Sequence, residues 1–270
     1  MAARSKLWRQ DAGDGVSPGR RAVLRAGLGA GAAGLAAALP GGAFAAGREV
    51  LFGFRLVPPF VMEDPSGRLT GIEYDIVSAA LAVRGHRIRP YLGPLPRLAS
   101  AVRSGSIDGA APVLPSFETE AVRTSSYIIY RNVALTLDGS GHRLATVEDL
   151  AGLRVMAFPN ATKVLGPAYA AAVARCREYR EEAKQMLQVR NLFHGRVDVA
   201  IGERRILGYY VRSPVTEIDG SRPMAEHDLF EPTEYEAAFR DPALAADFEE
   251  GLRAIRADGT YAAILQRYEA

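Results

Sequence analysis

Two α/β lobes of similar design with a cleft between them are what this chain of 270 residues predicts, and three observations carry that expectation. First, one pattern occurs twice, 90 residues apart: Gly105, Ile107, Asp108 and Ala110 in SGSIDGAAPV return as Gly195, Val197, Asp198 and Ala200 in HGRVDVAIGE. Each copy comes after a stretch with the apolar period of an amphipathic helix, so helix, glycine stop and strand recur once per half. Second, strand, loop and helix succeed one another in the order of parallel strands joined by helical crossovers. Third, about 225 residues remain after a leader-like start, enough for one large or two small domains. A ligand would be held between two such lobes. Coincidence is the alternative, because glycine closes many helices, but the copies match both in residue type and in the apolar run after the aspartate.

The first 45 residues do not read as part of the fold. Arg20 and Arg21 open RRAVLRAG, the 14 residues from Ala26 to Leu39 are only Ala, Gly and Leu, and Ala43-Phe44-Ala45 offers small residues for cleavage. This is the pattern of a twin-arginine signal peptide, residues 1–45, cut after Ala45 and directing the protein to the periplasm. Its apolar stretch falls short of the roughly 20 residues that span a bilayer. An uncleaved anchor is the alternative. Losing the leader removes six basic and two acidic groups, which turns the formal charge of +2 into −2. The precursor's basic balance is therefore no argument for nucleic acid as a partner. Cys176 is the only cysteine, so no internal disulfide can form.

Val50 to Phe54 reads as a strand, ended by Pro58-Pro59, and EDPSG at 63–67 is turn chemistry. Ile72, Ile76, Val77, Ala80 and Leu81 form one helical stripe with Glu73, Asp75 and Ser78 facing away. A second helix runs from about Pro96 to Gly105, and Asp108 to Leu114 is the next strand, parallel to the first. Thr146-Val-Glu-Asp149 is a capping box. Leu153–Phe158 then reads as a strand, 160–175 as a helix, 176–179 as a weak strand, 183–193 as a helix and 197–201 as a strand, with a further helix over 203–210. Asp241 and Pro242 start a helix that buries Leu244, Phe248, Leu252 and Ile255, and Thr260 caps a last one.

Five segments, PPFVMEDPSGRLTGIEYDIVSAAL, LASAVRSGSIDGAAPVL, VEDLAGLRVMAF, HGRVDVAIGE and LRAIRADGTYAAILQRY, resemble in order and spacing the family 3 periplasmic solute-binding proteins, best known as amino-acid receptors of ABC importers. The resemblance implies a type II two-lobe fold with two hinge strands and a ligand cleft. The first lobe is residues 46–136 with 227–270 and the second 137–226, crossing near Leu135–Asp138 and Ile218–Glu226. It also implies a small polar, amino-acid-like ligand, hinge closure around it, an ABC permease as partner, a monomeric protein and no cofactor.

Carried residue by residue, the resemblance brings departures as well. Where the family places an arginine for the ligand's α-carboxylate stands Glu120, with Arg123 three residues later. Small hydroxyl residues are replaced by Pro112, Val113 and Pro115, and two aromatics by Val57 and Leu95. Asn160, Thr162 and Lys163 occupy the ligand loop of the second lobe, and Glu203 the place of the acid that takes the α-amine. Arg55, just after the first strand, joins them as a candidate contact or a solvated loop residue. Thr162 reads equally as a helix cap, Lys163 as a surface lysine and Glu120 as a surface charge.

Signatures of catalysis are few. No two of His86, His142, His194 and His227 lie three to five residues apart, and the sequence holds no P-loop, no Rossmann glycine pattern and no G-x-S-x-G. A binding protein is the reading, with no metal. A cleft enzyme of the same fold that dehydrates a cyclic carboxylate, or a periplasmic accessory or sensor protein, is the alternative.

Overall fold

The computed structural model describes residues 47–113 and 120–269; the expected leader and Pro115 lie outside the described residues. Strand β1 (Glu49–Phe54) buries Val50, Phe52 and Phe54, the alternate positions of its pleat. The next loop closes on itself by a bridge between Val57 and Val61 and runs into a small ribbon, β2 (Met62–Glu63) and β3 (Leu69–Thr70). Helix α1 (Ile72–Ala82) buries the expected stripe, and Glu73, expected to face away, is buried with it because its carboxylate takes the Tyr130 hydroxyl. Next come β4 (Arg87–Leu92), α2 (Leu95–Ser104) and β5 (Gly109–Val113). β4 gave no sequence signal because it is an edge strand in which only Ile88 and Tyr91 are even half-buried.

Two long strands then run almost without a break, β6 (Val122–Tyr130) and β7 (Asn132–Leu137). The capping box forms as expected between Thr146 and Asp149 at a single 3-10 turn, and β8 (Arg154–Ala157) comes after it. The one helix expected over 160–175 is two, α3 (Ala161–Val164) and α4 (Gly166–Val173). Gly166 turns to φ +88° and Pro167 has no amide to offer the ladder. β9 (Glu178–Glu181), α5 (Met186–Phe193), β10 (Val199–Glu203), α6 (Arg204–Arg212), β11 (Met224–His227) and β12 (Thr233–Phe239) complete the middle of the chain. Helix α7 (Pro242–Ala257) starts on the expected Asp241 cap. In α8 (Thr260–Glu269) the expected cap residue is instead the first helical one, its amide taken by the Asp258 carboxylate at 2.8 Å.

The strands make two five-stranded sheets, in the orders β4-β1-β5-β12-β6 and β11-β7-β10-β8-β9. β1 runs parallel to β4 and β5, and β10 parallel to β8, so the expected crossovers are present in both. The chain passes from the first sheet to the second at Arg131 and returns across residues 228–232, whereas the sequence placed the passages at 135–138 and 218–226. Helices cover the second sheet on both faces: Val133, Leu135 and Met156 point into one apolar cluster, while Ala134, Val155 and Ala157, their neighbours on the same strands, point into the other.

The sequence repeat is a repeat of hydrogen bonds. Asp108 donates its amide to the Leu51 carbonyl and accepts the Leu51 amide on its carboxylate at 2.8 Å. Asp198 does the same with Arg154, also at 2.8 Å, and Arg154 adds its guanidinium. Ahead of each aspartate, the two preceding amides converge on one helix carbonyl, that of Ala101 in one copy and Asn191 in the other. Gly105 and Gly195, at φ +75° and +66°, supply the left-handed turn that makes this possible. Both aspartates thus lash the strand that ends a helical crossover to the parallel strand beside it, β1 in one sheet and β8 in the other.

Candidate functional site

A cavity of about 340 Å³ opens where the two sheets face each other. Its first wall comes from α2 and the first sheet, with Leu95, Leu98, Ala99, Val102, Ala110 and Ala238 giving an apolar surface. Pro112 and Val113 extend it, and Arg55, Tyr130 and Tyr235 bring the polar groups of that side. Across from it stand Phe158, Pro159, Val164 and Ile206, with Asn132, Asn160, Lys163, Gln185 and Glu203.

Of the residues expected from the sequence, Arg55, Leu95, Pro112, Val113, Asn160, Lys163 and Glu203 are brought together on this surface. Val57, Thr162 and Glu120 are not. Val57 is drawn into its own loop by the bridge to Val61 and lines a neighbouring groove with Pro58, Met186 and Tyr210. Glu120 is exposed, and Arg123 pairs with Glu236 of β12 at 3.3 Å, so neither lies on the cavity wall. Thr162 turns to Glu181, whose carboxylate accepts from the Thr162 amide and hydroxyl at 3.2 and 3.3 Å and from the Asn160 amide at 2.6 Å. Burial pushes Glu181 up, but these amides and the Tyr179 hydroxyl win and hold its pKa below the ordinary value. The Asn160 and Thr162 amides and the Thr162 hydroxyl are therefore spent on the protein's own carboxylate.

Glu203 is buried at 2 % exposure, at the end of β10 and the start of α6. It caps α6, accepting from the amides of Arg205 and Ile206 at 2.7 and 3.1 Å, while the Arg131 amide reaches its other oxygen at 3.4 Å. The Arg205 guanidinium lies 3.6 Å away. Burial dominates these favourable contacts and pushes its pKa up to about 7. The carboxylate thus faces the cavity as a helix cap, with three backbone donors already on it.

Arg55 has a different situation. It is half-buried, makes no hydrogen bond or ion pair with any described residue, and its charge is felt by Glu73, Tyr130 and Tyr235. Glu73, fully buried beneath the cavity, accepts the Tyr130 hydroxyl at 2.6 Å. Burial raises its pKa, against the lowering effects of that hydrogen bond and of Arg55. Tyr130 stacks on Phe60 at 4.3 Å between ring centres and touches Tyr235 at 4.4 Å, which makes a rigid aromatic platform.

Sequence reasoning missed Tyr130, Asn132, Gln185 and Tyr235. The first two flank Arg131, where the chain changes sheets, and a correctly placed crossing would have pointed to them. Gln185 and Tyr235 carried no local signal. Among the described residues no cluster of three metal-ligating side chains occurs, and no helix is long and apolar enough to cross a membrane.

Comparison with known proteins agrees with this geometry. Residues 52–270 match the family described as bacterial extracellular solute-binding proteins, family 3. No curated protein sequence matches the chain. Among solved structures, an ancestral arginine-binding protein bound to arginine is similar at 18% identity and a TM-score of 0.65, over 82% of this chain and 98% of that one. An ancestral amino acid-binding protein, a precursor of cyclohexadienyl dehydratase, is similar at 18% identity and 0.66, over 82% and 95%. A histidine kinase sensor domain with similarity to periplasmic binding proteins is similar at 22% identity and 0.65, over 83% and 95%.

Proposed function

The chain belongs to the bacterial extracellular solute-binding proteins of family 3, and we propose that it holds one small solute in the cavity between its sheets and presents it to an ABC permease of the inner membrane. The observation that supports this most is the lining, to which the half built on the first sheet contributes Arg55, Tyr130 and Tyr235 and the half built on the second Asn132, Gln185 and Glu203. A ligand touching both halves stabilises their approach, because only the closed arrangement offers both sets of contacts. In this reading the lobes are residues 46–130 with 233–270 and residues 132–227, joined at Arg131 and across 228–232. The leader over residues 1–45 exports the protein, and the mature chain acts as a monomer in the periplasm.

A second reading, an enzyme in the same cleft, draws on Glu203, whose pKa near 7 suits proton transfer. The three amides bound to its carboxylate favour the capping role instead. Native mass spectrometry of protein purified from the periplasm separates these readings: a co-purifying solute released unchanged on denaturation is expected. Recovery of a chemically converted product, growing with time, would establish the enzyme.

A further inference from the structure

We propose that the solute is an apolar monocarboxylate without a charged amine, seated with its carboxylate on Arg55 and its body against the wall made by α2 and β5. The inference rests on the solute-binding reading above and sharpens it to a ligand class.

Among the described residues three charged groups line the cavity, and two of them are eliminated by their surroundings. Two are cations and one is an anion, Glu203. A ligand ammonium would need that anion, but Glu203 already receives the amides of Arg205, Ile206 and Arg131 and is almost wholly buried behind them. Pulling it toward a ligand would strip the cap from α6 and leave buried amides without partners, a costly exchange. A ligand carboxylate, by contrast, has a waiting partner. Arg55 is half-buried and makes no hydrogen bond or ion pair with any described residue, and Glu73, the buried acid that feels its charge, is occupied by the Tyr130 hydroxyl. A partly desolvated guanidinium offers a planar fork of donors that matches a carboxylate. Lys163, the other cation, is exposed at the rim, where water weakens its pull.

Two further observations shape the rest of the ligand. The backbone amides of Asn160 and Thr162 are held by Glu181, so a second anionic group would find neither of them there and only the exposed Lys163 as a cation. The wall that carries Arg55 is otherwise built from Leu95, Leu98, Val102 and Pro112, with Phe158 and Ile206 opposite. Such a surface gains by excluding water from hydrocarbon and loses by stripping water from a hydroxyl or an ammonium. One charged end and one apolar body are what the walls accommodate.

Calorimetry of the mature protein with 3-phenylpropionate, 4-methylpentanoate, 3-phenylpropanamide, phenethylamine, L-phenylalanine and L-arginine tests this. The two acids should bind at least about tenfold more tightly than the amide, the amine or either amino acid, the discrimination expected of a charged hydrogen-bonding partner. Arg55→Met should lose about tenfold or more of the acid affinity. Should that variant not fold, the comparison of 3-phenylpropionate with its amide on the unaltered protein decides the same point. Equal binding of acid and amide overturns the role of Arg55. If L-arginine or phenethylamine binds best and small-angle scattering shows compaction, the ligand class is wrong while the solute-binding reading stands. If nothing in the panel binds and no solute co-purifies, the solute-binding reading itself fails, and the proposal falls with it.

Discussion

Glu203 shows how far a residue's position and its occupation can differ. Its place at the end of β10 aims it at the cavity, and its pKa is pushed up to about 7 chiefly by burial. The thermodynamic consequence has a definite sign. Between about pH 4.5 and 7 the unfolded chain has released this proton while the folded chain still holds it, so raising the pH through that window lowers stability. The loss levels off above pH 7 at about 3 kcal/mol. Glu203→Gln keeps an acceptor for the cap but cannot ionise. Denaturant unfolding at pH 4.5 and pH 8 should therefore show the variant gaining on the parent by about that amount at the higher pH. Parallel profiles for the two proteins would mean that Glu203 is not the buried acid described above.

At the scale of elements, the two helix-glycine-strand units can be compared with each other. Asp108 and Asp198 make the same paired contacts to β1 and β8, the parallel strands beside them, but only Asp198 also holds an arginine side chain, at 2.6 and 3.1 Å. That guanidinium, first among the causes, holds the Asp198 carboxyl below its usual range. Asp108→Ala should cost about 1–3 kcal/mol, the penalty for leaving the Leu51 amide unmet inside the sheet. Asp198→Ala should cost more, and its excess over Asp108→Ala should shrink in high salt, because the added interaction is ionic and partly exposed. Equal, salt-independent losses in urea unfolding would show that the arginine contributes nothing. Element lengths obey similar local rules: α4 is a separate helix because Gly166 and Pro167 interrupt the ladder, although the apolar period alone runs through.

For the whole molecule the expected behaviour is closure. Ligand contact from both sheets should compact the protein in small-angle scattering and raise its stability by about 2.7 kcal/mol at a hundredfold excess over Kd. A bound ligand without compaction would leave a rigid receptor, and the hinge at Arg131 and 228–232 would have to be abandoned. Export is tested separately. Changing Arg20 and Arg21 to lysine should leave the precursor in the cytoplasm, and mature protein reaching the periplasm in normal amounts would remove the twin-arginine route. The family's extracellular character is consistent with export but says nothing of which route is used.

By itself the sequence determined the α/β class, the order of most strands and helices, and the repeat of glycine and aspartate in each half. These depend on signals a few residues long: apolar period, proline, glycine and capping side chains. It also brought Arg55 forward from its place just after the first strand, and the resemblance to the family brought Asn160, Lys163 and Glu203, all four of which line the cavity. Only the tertiary structure decided which of them is still available to a ligand. Glu203 is claimed by the amide of Arg131, 72 residues away, as well as by its own helix, and the Asn160 loop by Glu181. Tyr130, Gln185 and Tyr235 reach the same cavity from segments far apart in the chain. Hydrogen-bond partners and desolvation are properties of the packed interior, and no local pattern of residues records them.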